Sequence, residues 1–310
     1  MIKIIFPLCY NSKEMDVIFM KLTYKIIKPQ AIKDFLHENK IPLKLIEIEN
    51  NQMKIMVNND AKTKNDTVRK GDNLHIWIPD EEYDEAILPE NLPLDISYED
   101  DYLLIVKKPY GMPLMVTKNN TEHTLANALM NHYQTNQIQS KIHFVNRLDI
   151  DAGGLVLVAK NRFIKFLISE NEVAREYYAI IDGIVPNKTL TIDLPIGKEE
   201  ENSPKRIVKE DGEDAVTKFT VEKEFKVQSL VKINYESGKT HQIRVHFAHF
   251  GFPLVGDQIY NPKAKTNEHL YLFMNHIGLK HPITGKDIDI NLNIPKDFSD
   301  YLLSKGGLNV

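Results

Sequence analysis

The chain has 310 residues, 42% of them hydrophobic, which is enough to bury a full-sized core and to divide into a main domain and a smaller appendage. No run of eighteen apolar residues occurs, and the start MIKIIFPLCYNSKEMD shows neither a basic flank nor a small-residue cleavage site, so the expectation is a cytoplasmic protein with no membrane partner. The single cysteine, Cys9, excludes an internal disulfide and a thiol-built zinc or iron–sulfur site, and the net charge of -4 gives no overall sign of a polyanionic partner.

From the front, residues 30–40 (QAIKDFLHENK) carry Ile32, Phe35 and Leu36 at helical spacing. KIMVNN and LHIWIP then alternate like strands on either side of the turn-rich TKNDTVRKGDN. Residues 80–101 hold ten Asp or Glu and no Lys or Arg, and without them the remainder has a formal charge of +6. With Pro79, Pro89 and Pro93 this stretch has the composition of an exposed linker, assigned to residues 80–97 between a small domain at 1–79 and a main domain at 98–310.

The main domain offers strands at 102–108, 154–160, 177–185 and 230–237, with a helix-like stretch at 124–133. Their order does not alternate regularly, so the expected class is α+β, with a mixed, largely antiparallel sheet and flanking helices.

Two stretches carry charge where chemistry is usually held. In NRLDIDAGGLVLVAKN (146–161), Arg147 and Asp149 stand on a loop that leads through two glycines into an apolar strand. Such a loop is either a reactive site or a surface turn with a salt bridge. In ESGKTHQIRVHFAHFGFPLVGD (236–257), Thr240 is placed to cap a helix from His241 to Phe250, with Gly251 as its left-handed stop. Ile243, Phe247 and Phe250 would face the core, and Arg244 lies beside that stripe. A guanidinium there either meets an anion or extends outward to solvent. GKT at 238–240 lacks the glycine five residues earlier that a phosphate-binding loop needs, since that position is Ile233. His246 and His249 lack the spacing of a metal-binding helix and read as polar-face histidines, so no metal is expected.

Taken in order, these residues resemble the RluA-type pseudouridine synthases over nearly all of 98–285. YEDDYLLIVKKPYGMPL is similar to the family's opening strand and turn, with Lys107, Lys108, Pro109 and Gly111 in place. RLD at 147–149, REYYAIIDG at 175–183, GKTHQIRVHFAHFGFPLVGD and HPITG at 281–285 follow as the family's later motifs do. The resemblance implies Asp149 as catalytic carboxylate, Arg244 as its ion-pair partner and Tyr177 as the aromatic group on the target uracil. It implies substrate contacts by Arg147, Lys239, His241 and Gln242, with Arg147 holding the flipped nucleotide or filling its gap. A carboxylate beside a guanidinium stays ionised, and only that form is a nucleophile.

The activity implied is isomerisation of uridines to pseudouridine in structured RNA, ribosomal or transfer, by base flipping, without cofactor or obligatory protein partner, by a monomer. Three positions depart from the family pattern around Asp149: Asn146 stands for its His, and Ala152 and Gly153 for its Thr-Ser. Near the end Met274, Asn275 and His276 replace Leu-His-Ala. These departures keep open a second function, an impaired RNA-binding or ribosome-assembly factor on the same fold. A hydrolase using Asp149 as base lacks a second catalytic carboxylate or nucleophile motif. The front domain resembles, more faintly, the RNA-binding domain named after ribosomal protein S-four; residues 22–78 hold ten Lys or Arg against seven Asp or Glu.

Overall fold

The computed structural model describes residues 20–46, 54–78, 81–235 and 238–305. Cys9, Pro79, Asp80, Glu236 and Ser237, which figure in the sequence reading, lie outside these residues.

In the front unit, β1 (Met20–Lys25), β2 (Gln30–Ala31), α1 (Ile32–Glu38) and α2 (Leu43–Ile46) precede β3 (Ile55–Val57), β4 (Asp60–Lys62), β5 (Thr67–Val68) and β6 (Asn73–Ile78). Period-two alternation sends Leu74, Ile76 and Ile78 inward and leaves His75 and Trp77 on the other face of the antiparallel sheet β1-β6-β3-β4. Ile32, Phe35 and Leu36 of α1 fill the same core as expected from their spacing. Phe163, from the main body, completes this core.

The acidic stretch is a correction to the sequence reading. Its end forms β7 (Asp95–Glu99), paired with β8 (Leu103–Lys108), and the part before it is anchored rather than free. Ile87 is buried, Glu81 bonds His143 at 2.5 Å and the backbone N–H of Arg162, and the Leu88 carbonyl accepts from Asn127. Negative charge had suggested solvent; here Glu81 and Glu90 find partners on the body instead.

The body continues with α3 (Leu125–Thr135), β9 (His143–Phe144), β10 (Gly153–Ala159), α4 (Arg162–Ser169), β11 (Val173–Asp182), β12 (Thr189–Asp193), β13 (Ile196–Lys198), β14 (Arg206–Val208), β15 (Val216–Glu224), β16 (Gln228–Tyr235), α5 (Gln242–His249), β17 (Leu272–Lys280), β18 (Asp287–Asn291) and α6 (Lys296–Ser304). Ten strands make one sheet in the order β12-β15-β16-β11-β17-β10-β8-β7, with β18 on β17 and β9 on β10. All its pairings are antiparallel except β10 with β17, which run parallel only across Gly153 to Phe273 and Gly154 to Met274. The α+β expectation holds. Every residue of β10 is buried, because both faces are covered. Along β11, Tyr177, Ala179 and Ile181 join the core beneath α3, while Tyr178 and Ile180 join a second cluster with Phe298 and Leu302 of α6. The late strand β17 thus sits between β10, which follows Asp149, and β11, which carries Tyr177.

Candidate active site

Asp149 lies on the loop between β9 and β10, and buried groups beneath it fix that loop. The ammonium of Lys108, fully buried, donates to the carbonyls of Pro109, Met112 and Ile150 at 2.8, 2.9 and 3.0 Å. Burial pulls Lys108 down to about 8, against the opposing pull of the Asp151 and Asp149 charges. Three carbonyl partners compensate a cation that would otherwise be costly inside. The loop's near end is tied by Asn146, which donates to the Leu155 carbonyl and accepts from the Leu157 N–H.

The departures from the family pattern are neighbours in space. The amide of Asn146 also donates to Sδ of Met274 at 3.3 Å, so two replaced residues contact each other. At Gly153 an added Cβ would lie 2.8 Å from the ring of Tyr110, which occupies the room that a hydroxyl side chain would need. Gly154, at φ +119°, would meet the Met274 backbone with any Cβ at all.

Arg244 comes from α5. Thr240 is not its cap: His241 holds the N-cap position in a left-handed conformation, φ 57°, without a side-chain cap bond. Gly251 has the expected left-handed backbone at φ +79°, but Phe250 is exposed rather than in the core. His246 is buried instead of lying on a polar face, with its ring nitrogens 2.8 Å from the Thr217 hydroxyl and 3.0 Å from the Leu194 carbonyl; His249 is exposed.

The outward alternative for Arg244 is ruled out. It is 2% exposed, and its Nε and Nη2 donate to both carboxylate oxygens of Asp257, each at 2.8 Å. Its Nη1 donates to Oδ2 of Asp149 at 3.0 Å, and its guanidinium lies 5.3 Å from the Tyr260 ring centre. Burial opposes the charge, but the hydrogen bonds and charge of Asp257 and the neighbouring Asp149 overcome it and hold Arg244 above its ordinary value. Asp257, 0% exposed, also accepts the N–H groups of Ile259 and Tyr260, so the clamp is itself clamped. The Asp149 side chain is 17% exposed, and its Oδ1 has no hydrogen-bond partner among the described residues.

These groups line a cleft of about 380 Å³ of atom-free space, part of it open to solvent. Arg147, Asp149, Tyr177, Lys239, His241, Gln242 and Arg244 all line it, together with Leu148, Ala152, Ile243 and Leu272. Tyr177 is buried and Arg147 exposed. Lys239 pairs with Glu213 at 2.5 Å. The imidazole of His241 bonds the Tyr260 hydroxyl at 2.9 Å and stands 3.8 Å from Asp149. Burial lowers its pKa, against Asp149, which favours the charged form. Gln242 corrects its expected role in part: buried at 2%, its amide donates to the Val216 carbonyl and the Thr217 hydroxyl and accepts the Lys239 N–H, so it braces α5 on β15.

Sequence reasoning gave no role to Asp257, Lys108 or Tyr260. Asp257 closes the quoted motif directly after Gly256, and a carboxylate thirteen residues behind a core-side Arg was the available signal. Lys108, at the end of an apolar run, offered none that separates it from a solvated lysine.

Residues 102–249 match the family described as RNA pseudouridylate synthase. The chain is 32% identical over 277 residues to the uncharacterized RNA pseudouridine synthase YjbO of Bacillus subtilis, covering 88% of this chain and 98% of that one. It is 35% identical over 237 residues to ribosomal large subunit pseudouridine synthase D of Buchnera aphidicola, covering 70% and 75%. Among solved structures, human RNA pseudouridylate synthase domain containing 1 shares the fold with a TM-score of 0.55 at 20% identity, covering 66% of this chain and 84% of that one.

Proposed function

Because the chain belongs to the RNA pseudouridine synthase family, an isomerase that converts uridine to pseudouridine in RNA, we propose that the Asp149 cleft performs this reaction and that its substrate is ribosomal RNA. The observation that carries the assignment to this cleft is the buried Arg244, gripped on two sides by Asp257 and extending its third nitrogen to one oxygen of Asp149. A guanidinium held in this way fixes the direction of the carboxylate, while the other oxygen stays available.

The bond from ribose C1′ to uracil N1 breaks, the base turns, and C1′ bonds to C5. C5 loses its proton and N1 gains one, so atoms balance with no redox partner. The target base is hidden in stacked RNA and has to leave the helix to reach Asp149. Tyr177 in the cleft wall supplies an apolar face for the base, and Arg147 at the exposed mouth is suited to the gap or the phosphates. Lys239 and His241 add donors beside Asp149.

The same reading takes residues 1–79 as an S-four-like RNA-binding domain ahead of the catalytic one, supported by ten basic against seven acidic residues over 22–78. It takes the protein as a cytoplasmic monomer; among the described residues no helix is long and apolar enough to cross a membrane.

Asp149→Asn is nearly isosteric and tests the assignment. Pseudouridine maps of ribosomal RNA from cells with the wild-type protein, the variant and neither should show one or more sites present only with wild type, while RNA affinity of the variant stays within about threefold. Product from the variant equal to wild type would falsify the role of Asp149.

A further inference from the structure

Beside the catalytic cleft lies a second, larger hollow, with about 800 Å³ of atom-free space; the part open to a water-sized sphere is about 390 Å³, within the range of about 300–1,000 Å³ of small-ligand sites. Leu114, Met115, Phe144 and Val145 give it an apolar lining, and Arg147 and Arg175 add two guanidinium groups. Among the described residues no Asp or Glu lines it. Arg147 belongs to the wall of both hollows. Arg175 stands two residues before Tyr177 on β11, so the two side chains leave the strand on one face. Its Nε is buried with no hydrogen-bond partner among the described residues, which leaves the outer nitrogens of the guanidinium as the groups that can meet a ligand.

We propose that this hollow is a second nucleotide subsite, which receives an unstacked neighbour of the target uridine with its base on Phe144 and Met115 and its phosphate between Arg147 and Arg175. This rests on the RNA reading of the first cleft and adds to it. An aromatic and a thioether face suit any base, and paired guanidiniums suit a phosphate. Everting one nucleotide strains the stacking of the next, and a place for that next base offsets part of the unstacking cost. The shared Arg147 marks where the RNA backbone would pass from one hollow to the other.

The test uses the full chain and total cellular RNA as probe. After ultraviolet crosslinking and tryptic digestion, mass spectrometry should find a nucleotide adduct on Phe144 within residues 142–147. Its yield should be unchanged in Asp149→Asn and reduced about tenfold in Met115→Glu, which sets a negative charge on an exposed part of the lining. Arg175→Gln should give a smaller loss in the same direction. An unmodified Phe144 in the wild-type chain overturns the proposal, as does an undiminished adduct in Met115→Glu with an unchanged melting curve. Failure of the catalytic reading looks different: Asp149→Asn would still make pseudouridine, whatever happens at Phe144.

Discussion

Arg244 can orient Asp149 only because Asp257 orients Arg244. The two carboxylates differ in consequence: Asp257 is wholly buried and holds the guanidinium by two bonds, whereas Asp149 takes one bond at the cleft wall. Removing one member of a buried pair leaves the other charge uncompensated, so Asp257→Ala should lower stability by about 3–5 kcal/mol in denaturant unfolding. Arg244→Lys keeps the charge but loses the fork, and product formation should fall while RNA affinity stays near wild type. Lys108 sets a pH dependence of its own. In the folded chain it releases its proton near pH 8, and in the unfolded chain near 10.5, so its contribution to stability rises with pH between those values and is lost as pH falls through 8. The neutral amine, however, has two N–H groups for three carbonyls, one of which belongs to Ile150 next to Asp149. Activity should therefore decline above pH 8 while this group's stability term does not, and Lys108→Met should remove that limb of the profile together with most of the activity.

Among the elements, the β9–β10 loop shows how a departure from a family pattern is absorbed. Gly153 and Tyr110 form one packing unit, because the ring fills the space a side chain at 153 would take. Gly153→Ser alone should destabilise by about 1–3 kcal/mol, and much less in the background of Tyr110→Ala, a coupling that a double-mutant cycle would measure. The main strands and α3 could be read from period, as in the unbroken apolar run Gly153–Ala159, whereas the reciprocal box of Thr124 with Asn127 that caps α3 went unread. The site's three leading residues were found through family resemblance, since RLD alone also fits a surface turn. The rest was hidden for specific reasons. Nothing local separates the exposed Phe250 from the buried Phe247, because the end of α5 depends on where the body ceases to cover it. The acidic stretch was misread because its partners, His143 and Arg162, lie more than sixty residues away. The pairings of Asn146 with Met274 and of Arg244 with Asp149 span 128 and 95 residues and arise from tertiary packing.

Across the whole molecule, the front unit is fastened to the body by Phe163 on α4, which is buried in the front core, with Phe166 and Leu167 packed against it. Phe163→Ala should cost the front unit about 3–5 kcal/mol and separate its melting from that of the body, a second transition that calorimetry would resolve. His281 bonds Asp100 at 2.8 Å across 181 residues, and β17 lies between β10 and β11, so early and late segments meet at the centre of the sheet. That order bears on biosynthesis. While the chain emerges from the ribosome, Asp149 and Tyr177 are exposed long before β17 arrives to join their strands, and Arg244 and Asp257 come late as well. The Asp149 cleft of a nascent chain therefore stays incomplete until β17 has been translated.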